Sequence, residues 1–314
     1  MPEALQSLLD PAFAGILAFA AVVLLTPAVV RLAQAVGWVA HPQADRWHAT
    51  PTALMGGIAI FIGATIALLL TNTAQVIGPI WLGASLMFVT GLIDDVWEIR
   101  PAAKLTMQVV ATSLLLYSGY AFGHDWALWL SLPLSLVWVV GITNAINLLD
   151  NMDGLSAGVA GIAAGVMVVF AAMADSTLAV VIGTPVVGAA FGFLVYNFKP
   201  ARIFMGDCGS LFLGYIVAAL GLIIQKDAVA AGPVAVALVP LAVLAVPIFD
   251  TTLVTLVRKL SGRAISQGGR DHSSHRLVFL GLSERHAVLM LYALSLLSGV
   301  ASLTALYVGE RFFF

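Results

Sequence analysis

Charge is what this chain has least of. Only 10% of its 314 residues are Asp, Glu, Lys or Arg, and 61% are hydrophobic. A soluble domain carries roughly 25% charged residues to coat its surface, so a water-soluble globule is excluded. Cysteine is nearly absent too. Cys208 stands alone, which rules out an internal disulfide and leaves cysteine silent about compartment. No long basic run is present and the formal net charge is −2, so nothing suggests a nucleic-acid partner. The first apolar stretch follows Glu3 and Asp10 rather than a basic segment. It therefore reads as a retained spanning helix and not as a cleaved leader.

What the chain does have is apolar runs long enough to cross about 30 Å of hydrocarbon as helices. They fall at 11–33, 55–71, 78–93, 102–121, 126–147, 154–174, 177–197, 208–225, 231–256 and 286–309. The fold expected is all-α and polytopic, with about ten transmembrane helices in one catalytic domain over 1–314. The connections sort by charge. Those at 34–54, 94–101, 148–153, 198–207 and 257–285, with adjoining helix ends, hold twelve of the 14 basic residues. Only Lys226 and Arg311 fall in the other set. The positive-inside rule puts the basic set in the cytoplasm and both termini outside. Internal repeats with broken helices, which mark many transporters, are not evident. An ion-coupled transporter would also want acids near mid-span, whereas these acids stand at span ends.

Four basic-side connections carry acids and amides. In LIDDVWEIRPAAK, Asp94 and Asp95 are adjacent carboxylates that repel unless a cation is near, and Lys104 lies at the start of the next helix. In NAINLLDNMDG, Asn144, Asn147 and Asp150 or Asn151 recur at helical spacing and share a face, with Asp153 just beyond. Polar groups at membrane depth are costly and line a cavity or a partner. One or two such groups would suit helix–helix bonding; this many suit a site. In NFKPARIFMGDCGS, a Gly206-Asp207 turn opens a helix, where an anion or a metal–diphosphate is favoured, and Asp is also an ordinary N-cap there. In GGRDHSSHRL, His272, His275 and Arg276 lie close together in the chain. Paired His can mean zinc, but no third soft ligand is near, and phosphate suits a His-His-Arg set better. Oxygen donors with scattered basic residues favour a hard cation such as Mg²⁺ and phosphoryl transfer, where positioning and charge neutralisation supply most of the rate. Asp250, inside the ninth span, marks function or a buried pair, with Pro247 placed to bend the helix toward the site.

These four motifs, in this order, resemble the polyprenyl-phosphate N-acetylhexosamine-1-phosphate transferases. That family includes bacterial undecaprenyl-phosphate GlcNAc-1-phosphate transferases and the phospho-MurNAc-pentapeptide translocases. The resemblance runs from about His41 to Leu277 and is closer to the GlcNAc branch, because the His-x-x-His-Arg segment is short. It implies transfer of a sugar 1-phosphate from a UDP-N-acetylhexosamine to undecaprenyl phosphate at the cytoplasmic face of a bacterial plasma membrane, with release of UMP. The translocase reaction is the alternative. It implies Mg²⁺ (or Mn²⁺) on Asp207 and Asn147, Asp94 acting on the lipid phosphate, and Asp95 and Lys104 shaping that site. Asp150 joins the catalytic acids and Asn144 the substrate-binding set. Phe204 would stack on uracil, Asp153 would bond to it, and His48, His272, His275 and Arg276 would bind the donor. A homodimer is compatible with the resemblance. Ala40, Asp45-Arg46 and Asn151 depart from common family residues, while His48, Pro51, Gly56 and Gly57 match.

Overall fold

A computed structural model describes residues 3–40, 51–71, 78–123, 126–227, 233–264 and 269–313. The elements are α1 (Glu3–Val36), β1 (Val39–Ala40), β2 (Thr52–Ala53), α2 (Gly57–Leu70), α3 (Gly78–Trp97), α4 (Pro101–Tyr117), α5 (Leu128–Leu148), α6 (Leu155–Met173), α7 (Thr177–Asn197), α8 (Gly206–Asp227), α9 (Pro233–Val243), α10 (Ala245–Leu260), α11 (Ser273–Phe279) and α12 (Glu284–Phe313). The protein is an all-α polytopic membrane protein, with one two-stranded antiparallel ribbon that the sequence did not announce.

A helix stands at each of the ten expected places. Length and apolarity alone qualify seven as spanning among the described residues: Pro11–Val36, α3, α5, α6, α7, α8 and Glu284–Val308. The helices at the other three places are shorter or broken. With its 14 residues, α2 rises only about 21 Å, and α4 has 17 residues. The ninth expected span is two helices, divided at Leu244. Pro247 explains the division, because it has no N–H to give the carbonyl of Val243. Ser295 Oγ donates to that carbonyl instead, at 3.0 Å. The same device serves Pro27 inside α1: the Val23 carbonyl it leaves free accepts from Tyr196 Oη at 3.1 Å. Unpaired backbone groups are costly in hydrocarbon, so such repairs by neighbouring helices are what permit proline there.

The centre of the bundle is α8, whose residues from Cys208 to Ile224 are all buried. It packs against α2, α3, α5 and α6. An apolar helix gains little from leaving lipid for other apolar helices, so close backbone approach must supply the attraction. At Gly91 of α3, a Cβ would lie 2.3 Å from the backbone of Asp207. Glycine therefore sets how near α3 comes to the start of α8, and that junction holds the site.

Candidate active site

The end of α3, the start of α4, the end of α5 and the start of α8 meet on one side of the bundle. Asp94 and Asp95 close α3. The backbone N–H of Ile99 donates to Asp94 Oδ1 at 2.9 Å, folding the connection back on itself. Pro101 then opens α4, where its fixed φ suits the first turn. One turn on, Lys104 Nζ lies 2.6 Å from Asp94 Oδ2 and 2.6 Å from Asp207 Oδ2. One ammonium thus joins two carboxylates from different helices.

Asp95 faces a different way. Its Oδ1 accepts from Asp207 N at 2.7 Å and its Oδ2 from Cys208 N at 3.0 Å. Both oxygens cap orphan N–H groups at the start of α8, and they do so from another helix. Gly206, at φ +75°, makes the turn, and a Cβ there would lie 2.6 Å from Asp95 Oδ2.

The amide stripe of α5 divides between two partners. Asn147 Nδ2 donates to Asp207 Oδ1 at 2.9 Å and to Ser210 Oγ at 2.8 Å. Asn144 exchanges bonds with Gln108, its Nδ2 donating at 2.8 Å and its Oδ1 accepting at 3.1 Å. Gln108 and Ser210 were missed in the sequence; an amide inside the apolar run of α4 was the available signal for the first. Asp150 and Asp153 lie past the end of α5. Asp153 Oδ2 accepts from Ala201 N at 3.0 Å, which holds the segment before α8 against the α5–α6 turn. Asp150 is pushed up to about 8 by burial first and then by the negative charges of Asp207, Asp95 and Asp153, so it carries a proton at neutral pH unless positive charge joins it. Phe204 lies in the same segment. Its N–H donates to Ala53 O at 2.8 Å and its carbonyl accepts from Gly56 N at 2.9 Å, so β2 and the start of α2 brace it. His48 lies outside the described residues.

The His-His-Arg segment forms a second group. His272 N-caps α11 and His275 is within it; the two rings are 5.7 Å apart and both are buried. Burial, with the charges of His272 and Arg270, pushes His275 down to about 4, so it is neutral at pH 7. Arg276 is exposed and donates from Nε to the Asp271 carbonyl at 3.2 Å. Asp271 also binds Arg263 (2.8 Å) and Arg258 (3.3 Å); the Arg263 bond leads in holding its carboxyl below the usual range. The segment reaches the α5–α6 turn through Ser274 Oγ, which donates to Asn151 Oδ1 at 2.6 Å. Asn151, a departure from the family pattern, is thus a contact between the two groups. Asp250 pairs with His272 at 2.7 Å and also accepts from the Ser273 hydroxyl at 2.6 Å.

Oxygen atoms gather at Asp207: its own carboxylate, that of Asp94, which shares the Lys104 ammonium with it, and the amide of Asn147. Among the described residues no set of three or more His, Cys, Asp or Glu stands in metal-binding geometry. The chemistry nevertheless suits a hard cation, and Lys104 already places positive charge between Asp94 and Asp207. Asn147 uses its Nδ2 in the bonds above, leaving Oδ1 as the atom a cation would take.

A polytopic bundle with carboxylates, amides and a lysine gathered at one end of its central helix is a membrane protein built to handle charged groups at the bilayer edge. Comparison with known proteins makes the class specific. Residues 77–225 match the model of glycosyl transferase family 4. The chain is 35% identical over 301 residues, 92% of its length and 83% of the relative's, to a probable undecaprenyl-phosphate N-acetylglucosaminyl 1-phosphate transferase of Bacillus subtilis. It is 33% identical over 299 residues (82% and 72%) to a decaprenyl-phosphate N-acetylglucosaminephosphotransferase of Mycolicibacterium smegmatis. A phospho-N-acetylmuramoyl-pentapeptide-transferase of Latilactobacillus sakei is 30% identical over 223 residues, 61% of this chain and 68% of its own. The chain belongs to glycosyl transferase family 4, and it is a membrane-embedded transferase.

Proposed function

We propose that the protein transfers N-acetylglucosamine 1-phosphate from UDP-N-acetylglucosamine to undecaprenyl phosphate. An oxygen of the lipid phosphate attacks the β-phosphorus. The bond from that phosphorus to the bridging oxygen breaks, UMP leaves with that oxygen, and the sugar stays joined to the lipid through a diphosphate. The breadth of similarity to the Bacillus subtilis relative supports this donor over the muramoyl pentapeptide, whose relative aligns with a smaller share of the chain.

The observation that carries the chemistry is Lys104, bonded at 2.6 Å to both Asp94 and Asp207. Two anionic substrates must approach within bonding distance, and their repulsion has to be offset before any bond forms. Lys104 stands where it can turn from the carboxylates to the phosphates. Asp94 faces the acceptor and orients the lipid phosphate. Asp207 and Asn147 would hold Mg²⁺, for which Mn²⁺ can substitute; bound there, it neutralises the donor diphosphate. Asp95 acts by positioning Asp207, since both its oxygens are used at the α8 cap. Asn144, fixed by Gln108, keeps α5 in register beside Asp150. Phe204 and Asp153 receive the uracil, and His272, His275 and Arg276, with His48 from the first loop, receive the phosphates and sugar. The bias of basic residues supports a cytoplasmic site in a bacterial plasma membrane.

The test is UMP release by purified protein given undecaprenyl phosphate and Mg²⁺ with UDP-GlcNAc, UDP-GalNAc or UDP-MurNAc-pentapeptide in turn. UMP from UDP-GlcNAc alone, dependent on lipid and stopped by EDTA, is expected. Release from the pentapeptide donor alone would assign the other branch, and folded protein that releases none would defeat the reading.

A further inference from the structure

Asp250 lies outside the carboxylate–lysine cluster and is fully buried in α10. Burying an ionised carboxylate is costly unless it is bonded on several sides. Three donors reach it. His272 Nδ1 lies 2.7 Å from Oδ2, and Ser273 gives both its N–H and its hydroxyl to Oδ1, each at 2.6 Å. His272 is the N-cap of α11, with extended backbone, and has no capping side-chain bond of its own. Asp250 therefore caps α11 from a different helix while gripping the imidazole before it. The chain breaks between α9 and α10 at Leu244, and Ser295 Oγ secures the Val243 carbonyl that Pro247 leaves without a helical donor.

From this arrangement we propose that Asp250 is a positioning residue that acts through His272, fixing its proton on Nδ1 and presenting Nε2 as an acceptor to a sugar hydroxyl of the UDP-sugar. A carboxylate can only accept, so the nitrogen facing it must carry hydrogen. Nε2 then carries the lone pair and is the nitrogen left to accept from a ligand O–H. A carboxylate behind an imidazole fixes tautomer and orientation in this way wherever the pair occurs. The donor assignment rests on the function proposed above; the tautomer does not.

The substitution Asp250→Asn keeps the shape, and its amide oxygen can still accept from Ser273, so the α11 cap survives. Its amide nitrogen can serve the His272 side only by donating, which moves the ring proton to Nε2. The experiment has two arms. In the first, ¹⁵N-histidine spectra of full-length protein are recorded, with His272 assigned by its loss in His272→Ala. An Nδ1-protonated His272 that converts to the Nε2-protonated form in Asp250→Asn is expected; a His272 unprotonated at Nδ1 in the unsubstituted protein overturns the proposal. This arm needs no turnover, so it stands even if no UDP-sugar proves to be a substrate. In the second, kcat/KM is measured for Asp250→Asn, His272→Ala and the double variant. Outer partners of a functional histidine typically matter by about 10–100-fold, so a loss of that size is expected for Asp250→Asn. It should vanish in the His272→Ala background. Losses that multiply would overturn the proposal, because they would mean Asp250 acts only as a structural anchor.

Discussion

Gly91→Ala tests whether the contact between α3 and α8 sets the geometry of the site. The added methyl would sit 2.3 Å from Asp207 C and O and 2.4 Å from Cys208 N, against the 3.4 Å at which ordinary contact begins. These atoms are backbone of a buried helix, so no side chain can swing aside and the helices must part by about 1 Å. Gly91 lies one turn before Asp94 and Asp95 on the same face. The bonds from Asp207 N and Cys208 N to Asp95, now 2.7 and 3.0 Å, would then exceed hydrogen-bond range, and Lys104 could no longer hold Asp94 and Asp207 together. Overpacking costs about 1–3 kcal/mol, and a misplacement of this size costs about 10²-fold in rate. The assays are UMP release and thermal unfolding in detergent followed by tryptophan fluorescence. Gly141→Ala is the matched control, since nothing lies within 4 Å of a Cβ there; helix propensity predicts a change of no more than about 1 kcal/mol, in the stabilising direction. If Gly91→Ala turned over like Gly141→Ala, the close approach would not be what organises the site.

Further predictions concern single side chains. Asp94→Asn should lower kcat by about 10²-fold or more while leaving UDP-sugar affinity by calorimetry nearly unchanged; an equal fall in affinity would remove Asp94 from the acceptor side. Asp207→Asn should lose Mg²⁺-dependent turnover while remaining folded, and near-normal activity would end its metal role. Arg276→Ala, at an exposed position, should raise KM for the donor more than it lowers kcat; an unchanged KM would take it out of the site. His275 is depressed to about 4 in the fold from 6.5, so as pH falls between these values the unfolded chain takes up the proton first. Its contribution to stability is present above pH 6.5 and is lost toward pH 4, and His275→Gln should flatten the melting temperature across that window.

The sequence by itself determined the solvent, the class and the motifs. A bilayer imposes its demand locally, since each crossing must be apolar and internally hydrogen-bonded along its own length, so helices could be placed from runs alone. Even there, the break at Leu244 and the shortness of α2 depended on particular residues and their neighbours. Four independent motifs sufficed for the family, because each couples unusual residue types to a fixed spacing. The assembly of the site was a tertiary decision. Lys104 meets Asp207 across 103 positions and Asp95 caps α8 across 112, distances over which no periodicity carries information. Asp94 and Asp95 are neighbours of the same type, yet one meets a lysine and the other a helix end, because successive side chains on a helix point about 100° apart and α8 lies along only one of those directions. Asp250 could be singled out as a charge inside a span, but that it holds His272 depended on where α11 folds back against α10. Packing, through glycine contacts such as Gly91 against Asp207, decides which distant groups touch.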